Sequence, residues 1–177
     1  MYATDSIARG TAVSLGQQVD SDRQLARLLQ IGIVLEEVVE ARASRHYQSL
    51  AAEERTLDDE IEALLSHAAE ESADHRKRLE DLIEGLTVDS VPFDEIETLV
   101  EARYGKTKPE DFDGVLYDQL CNEETAYKFY DDLIEAIEAS DAAFSVDREH
   151  VIDVLRGLRK EERDGVKEVT TIMEERE

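Results

Sequence analysis

Four residues stand where a helix would ordinarily present hydrocarbon to its neighbours. Glu40, Glu123 and Glu162 each interrupt an apolar stripe near the middle of a helical stretch, and His75 does so in a fourth stretch. A charge in such a place is costly unless it is paired or bound to metal. Three carboxylates and one imidazole suit iron or manganese, and a cation among them would relieve their mutual repulsion. Inward arginines such as Arg42 or Arg159 offer the plainer alternative, an ion pair for each glutamate.

Two of these residues head a repeated pattern. Glu40-x-x-Ala43-x-x-x-Tyr47 returns as Glu123-x-x-Ala126-x-x-x-Tyr130, and in a helix the three positions share one face about two turns long. Each copy precedes a second helical stretch with an acidic middle, Glu70-Glu71-Ser72-Ala-Asp74-His75 in one half and Glu161-Glu162-Arg-Asp164-Gly165 in the other. The chain therefore reads as two related helical hairpins.

This arrangement resembles the ferritin-like superfamily, and its rubrerythrin branch most of all, over residues 21 to 175. The resemblance implies an all-α, ferritin-like four-helix bundle with one long crossover between helices 2 and 3. It also implies a di-iron carboxylate site built from a Glu on each of two helices and a Glu-x-x-His on each of the others. Carried over position by position, the metal ligands are Glu40, His75, Glu123 and Glu162, with Tyr47 and Tyr130 beside the metal. Two positions depart from the pattern: Ser72 stands where a Glu is expected, and Gly165 where a His is expected. Neighbours could substitute, because Glu71 lies four residues before His75 and Glu36 four before Glu40, each pair on a shared face. A mononuclear site from Glu36, Glu40, Glu71 and His75 is one arrangement this allows. Gly165 leaves room for a cavity, a water or an outside ligand, or simply for a close helix contact.

Three functions follow as expectations. One is an iron- or manganese-dependent oxidoreductase acting on peroxide or oxygen, as rubrerythrin-type enzymes do. Another is a protein holding one or two ions without turnover. The third is a metal-free scaffold that acts as an interaction protein. Paired rubredoxin cysteines are absent, since Cys121 is the single cysteine, about 200° round the helix from Glu123 and a plain packed or interfacial thiol.

The elements that must position these residues can be traced from the apolar spacing. A first helix opens at Asp20-Ser21-Asp22 and runs to about residue 52 through Leu25, Leu28, Gly32, Leu35, Val39 and Ala43. Thr56 to Asp59 reads as a variant capping box for a second helix, whose stripe is Ile61, Leu64, Leu65, Ala68, Ser72, His75, Leu79 and Leu82. Residues 86–109 form a long connection with Pro92, Gly105 and Pro109, and one short helix near 94–103. A third helix carries Leu116, Leu120, Glu123, Tyr127, Tyr130, Ile134 and Ile137 inward. After a break at 140–146, a fourth carries Val151, Val154, Leu155, Leu158, Glu162, Val166, Val169 and Met173. Short, long, short is the loop order of the ferritin-like topology. Residues 1–20, with few large apolar groups, read as a mobile arm before a bundle at 21–177. His46, His67 and His150 fall off the best core stripes and read as surface or edge groups.

Charge bounds the partners. Asp and Glu number 44 against 20 Lys and Arg, a formal charge of −24. No basic patch is available to displace counterions, so nucleic acid and anionic membrane are excluded as partners. Such an excess strains a compact fold by self-repulsion and points to a halophilic setting, where salt screens it. No stretch of about 18 apolar residues occurs, and Met1 to Asp20 lack a signal-peptide pattern, so a cytoplasmic location is expected. A homodimer is the expected assembly.

Overall fold

The computed structural model describes residues 19–53, 59–88 and 112–176. They form four helices: α1 (Asp22–Glu53), α2 (Asp59–Glu84), α3 (Phe112–Ala139) and α4 (Arg148–Glu175). Two of the starts have a capping side chain. Ser21 accepts the Gln24 amide through its hydroxyl at 3.2 Å, and Asp147 accepts the Glu149 amide at 3.1 Å, satisfying amides that have no partner within the helix. Past the end of α3 the Arg148 guanidinium donates to the carbonyls of Ile137, Ser140 and Ala142, tying the break between α3 and α4 to the start of α4.

Cross-helix pairs fix the directions. Glu36 of α1 meets Tyr130 of α3, Arg42 meets Asn122, and His46 meets Asp118, so numbers rise on one helix as they fall on the other. The α2–α4 seam behaves likewise, with His75 against Glu162 and Arg78 beside Gly157, and so does the α1–α2 seam, with Glu40 against Arg76 and Gly32 beside Leu79. Packing joins α1 to α2, α3 to α4, α1 to α3 and α2 to α4, the pairing of a four-helix bundle. Since α1 runs antiparallel to both α2 and α3, the consecutive helices α2 and α3 are parallel. The end of α2 and the start of α3 therefore lie at opposite ends of the bundle, roughly 40 Å apart for a helix the size of α2. That placement is the one a single long crossover between helices 2 and 3 requires. The short helix near 94–103 and the arm at 1–18 lie outside the described residues.

One boundary moves. Val19 is fully buried and its carbonyl accepts the Ser140 hydroxyl, so the packed body starts before position 21. Gly32 lets α1 approach closely, because a Cβ there would meet Leu79 and Phe129 side chains at 3.1 Å.

The core comes in two apolar blocks. One contains Leu25, Leu29, Ile33, Leu79, Leu133, Ile137, Leu155 and Leu158; the other contains Ala43, Ile61, Leu65, Leu116, Val169 and Ile172. Along every helix the two sets are separated by charged or polar residues: Glu36 on α1, Ser72 and His75 on α2, Glu123 on α3 and Glu162 on α4. Each is at most 7 % exposed. The bundle thus has a polar layer across its middle, held between hydrocarbon that supplies about 1.5–3 kcal/mol per buried large side chain.

A candidate metal centre

His75 is the hub of the polar layer. Its Nδ1 lies 3.1 Å from Glu36 Oε1 and 2.9 Å from Glu162 Oε1, and its Nε2 lies 3.0 Å from Glu161 Oε2. An imidazole with carboxylates against both ring nitrogens can satisfy them only by donating from both, as imidazolium. Burial pulls its pKa down, but the hydrogen bonds and charges of Glu162 and Glu36 outweigh that and hold it at about 11. Tyr130, fully buried, donates its hydroxyl to Glu36 Oε1 at 2.5 Å and stands edge-on to the His75 ring, with centroids 6.5 Å apart. Burial first, and the Glu36 charge second, push the Tyr130 pKa well above its usual range. Arg78 holds Glu161 from outside with two bonds of 2.8 and 3.0 Å.

The other side of the layer is built differently. Glu71, Glu123 and Glu162 bring carboxylate oxygens within 4.8 Å of one another, as do Glu36, His75 and Glu162 on the first side. Glu162 belongs to both trios. Gln119 donates to Glu123 Oε1 at 2.8 Å, but no donor reaches Glu123 Oε2, a buried atom. Burial raises the pKa of both Glu123 and Glu162. The neighbouring Glu36 charge adds to the rise; for Glu123 the side-chain contact with Glu162, and after it the hydrogen bond from Gln119, partly offset it, and for Glu162 the hydrogen bond from His75 does so. Glu71, half-buried, is raised to about 7, chiefly by burial and against the pull of His75.

Gly165 makes this arrangement fit. A Cβ there would lie inside the Glu123 carboxylate, 2.6 Å from its Cδ. The position where a second histidine was expected is therefore filled by the glutamate of α3, which advances into the space. A cavity of about 200 Å³ lies beside it, bounded by Leu64, His67, Glu71, Glu123, Gly165 and Glu168 among others.

The expected ligands sort themselves accordingly. His75, Glu123 and Glu162 meet in the layer, joined by Glu36 and Glu71. Glu40 departs from the expectation: its side chain is 32 % exposed and bound to Arg76 of α2 at 2.7 Å. Four residues advance a helix by 400°, so Glu40 lies about 40° further round than Glu36, at the wet edge of the α1–α2 seam. It is Glu36, one turn earlier, that α1 brings to His75 and Glu162. Arg42 pairs with Asn122 and Asp118, and Arg159 with Asp131, so neither neutralises the layer. Ser72 is buried without offering a carboxylate. The side chain of Tyr47 lies outside the described ones.

Among the histidines, His46 differs from the expected edge position. It is buried against Asp118 at 2.9 Å, in a separate polar cluster of α1 and α3. His67 is largely exposed and pairs with Glu71 at 3.4 Å, and His150 is exposed. Cys121 is half-buried and free. Among the described residues no helix is long and apolar enough to cross a membrane. No family model, curated protein or solved structure matches this chain.

Proposed function

We propose that this protein is a ferritin-like metal-binding bundle whose polar layer takes iron or manganese, one or two ions per chain. The observation that carries this is the pair of ligand trios sharing Glu162, with a buried oxygen of Glu123 that no donor reaches. Four helices each deliver a carboxylate to one layer, and buried carboxylates in that number call for positive charge. His75 supplies some of it in the metal-free chain; a divalent ion supplies more, with the imidazole neutral and acting as a ligand.

In this reading Glu36 and His75 would hold one ion and Glu71 and Glu123 the other, with Glu162 available to both. Tyr130 orients Glu36, and Gln119 orients Glu123 by bonding the oxygen that faces away from Gly165. Bound iron or manganese would supply electron transfer toward peroxide or oxygen, the chemistry of the rubrerythrin branch. The surrounding apolar blocks keep bulk water from both sides of the layer.

One observation favours a metal-free scaffold instead: the His75 half already satisfies its own hydrogen bonds. Elemental analysis of protein purified in high salt without chelator, with an anaerobic Fe(II) titration, separates the readings. Uptake of one or two ions per chain, followed by peroxide consumption, is the expected result. No bound metal and no response to Fe(II) or Mn(II) would replace the metal reading with the scaffold.

A further inference from the structure

The cavity between α2 and α4 bears on how an ion reaches a layer buried on both sides by hydrocarbon. Its lining grades from solvent to core. His67 and Asp164 are 58 % and 55 % exposed, Glu71 is 21 % exposed, and Glu123 is 7 % exposed. The path ends at Glu123, one of whose oxygens is buried without a donor, and Gly165, having no side chain, lets that carboxylate reach the cavity's end. A second cavity, of about 340 Å³ between α1 and α2, ends on Ala43 and Leu65 and meets no carboxylate of the layer.

Resting on the function proposed above, we propose that the α2–α4 cavity is the way in for the cation and that Glu71, Glu123 and Glu162 take the first ion. Three observations converge. The donors at the cavity's end are all carboxylate oxygens, which suit a hard divalent ion such as Mn(II). In the opposite trio Glu36 is held by Tyr130 and His75, and His75 also by Glu161, so an ion arriving there must first displace existing hydrogen bonds. The mouth carries Glu161, Asp164 and Glu168 against Lys160, which pairs with Asp164 at 3.3 Å, and Arg78, which holds Glu161. That excess of negative charge steers cations toward the opening. The His75 side fills second, through Glu162.

Stopped-flow uptake of Mn(II) by the full chain, with free Mn(II) followed by electron paramagnetic resonance, tests the order and the route. Glu71→Gln is expected to weaken the first Mn(II) by about tenfold or more. Glu36→Gln is expected to remove the second ion. The double variant Asp164→Asn/Glu168→Gln should slow uptake by on the order of tenfold, while Glu135→Gln, an exposed charge change on α3, should not. Thermal melts confirm that each near-isosteric variant is folded. If Glu36→Gln costs the first ion and Glu71→Gln spares it, or if the mouth variant loads at the parent rate, the inference falls while the metal reading stands. If the parent chain takes up no Mn(II) or Fe(II), both fall together.

Discussion

The two sides of the polar layer contain the same kinds of groups and solve opposite problems. Around His75, both ring nitrogens face carboxylates: Glu36 Oε1 receives Tyr130 and His75, and the imidazolium lies among three carboxylates. Around Glu123, three carboxylates crowd together, one oxygen has no donor, and a cavity adjoins. A buried charge network can be finished by protein groups alone, or left unfinished so that something else completes it. The first side is stable as it stands; the second gains by acquiring a cation.

The sharpest way to break this contrast is to remove one member from each side and measure denaturant unfolding of the metal-free protein. His75→Ala should cost about 3–5 kcal/mol, because it leaves Glu36 and Glu162 buried without their counter-charge. Glu123→Gln should go the other way, leaving stability unchanged or raising it by about 1–3 kcal/mol, since it removes an unsatisfied acceptor. Glu123→Gln should lose the first ion, and His75→Ala the second. Equal losses of stability would erase the difference between the sides.

Smaller effects sharpen the picture. Gly165→Ala would ordinarily raise helix propensity by about 1 kcal/mol. Here the collision with Glu123 should turn that into a loss of about 1–3 kcal/mol. In a Glu123→Ala background the same change should become stabilising, and a double-mutant cycle reads the coupling. Tyr130→Phe should cost about 1.5–3 kcal/mol by removing a hydrogen bond to a charged acceptor.

The pH response of the metal-free protein follows from the folded values. Glu71 at about 7, against an ordinary 4.5, means the fold holds that proton more tightly than the unfolded chain. Stability therefore falls as pH rises from 4.5 through about 7. His75 at about 11 contributes fully below 6.5, and its contribution is lost as pH climbs toward 11. Metal affinity should move oppositely over the lower window, rising as Glu71 gives up its proton. Melts and Mn(II) titrations across pH 4.5 to 8 check both signs. Smallest of all, Glu40→Gln should change stability by about 0–1 kcal/mol and leave uptake intact, because its pair with Arg76 is partly exposed.

Much of the architecture could be read from the chain. The four stripes, the loop order and the crossover follow from where Leu, Ile and Val recur and from the long gap between α2 and α3. The layer was legible in part, since His75, Glu123 and Glu162 each break a stripe at mid-helix. Glu36 was harder to place because a stripe spans several positions per turn, and two glutamates one turn apart both fit until Arg76 is seen to hold Glu40. At Gly165 the sequence shows only that room is left; that the missing Cβ admits a carboxylate from another helix is a fact of three-dimensional packing. His46 was missed because its partner, Asp118, lies 72 residues away.

The division of the core into two hydrocarbon blocks has a consequence for cooperativity. A seam of charges is a poor transmitter of packing, so in the metal-free chain the Leu25–Leu158 block and the Ile61–Ile172 block can open with different free energies. An ion pair of sites drawing ligands from all four helices would act as a rivet through that seam. Binding free energy that reaches only the fully assembled layer stabilises both blocks at once. Amide exchange would then show two levels of protection merging into one as metal is added, and the bundle would unfold as a single unit.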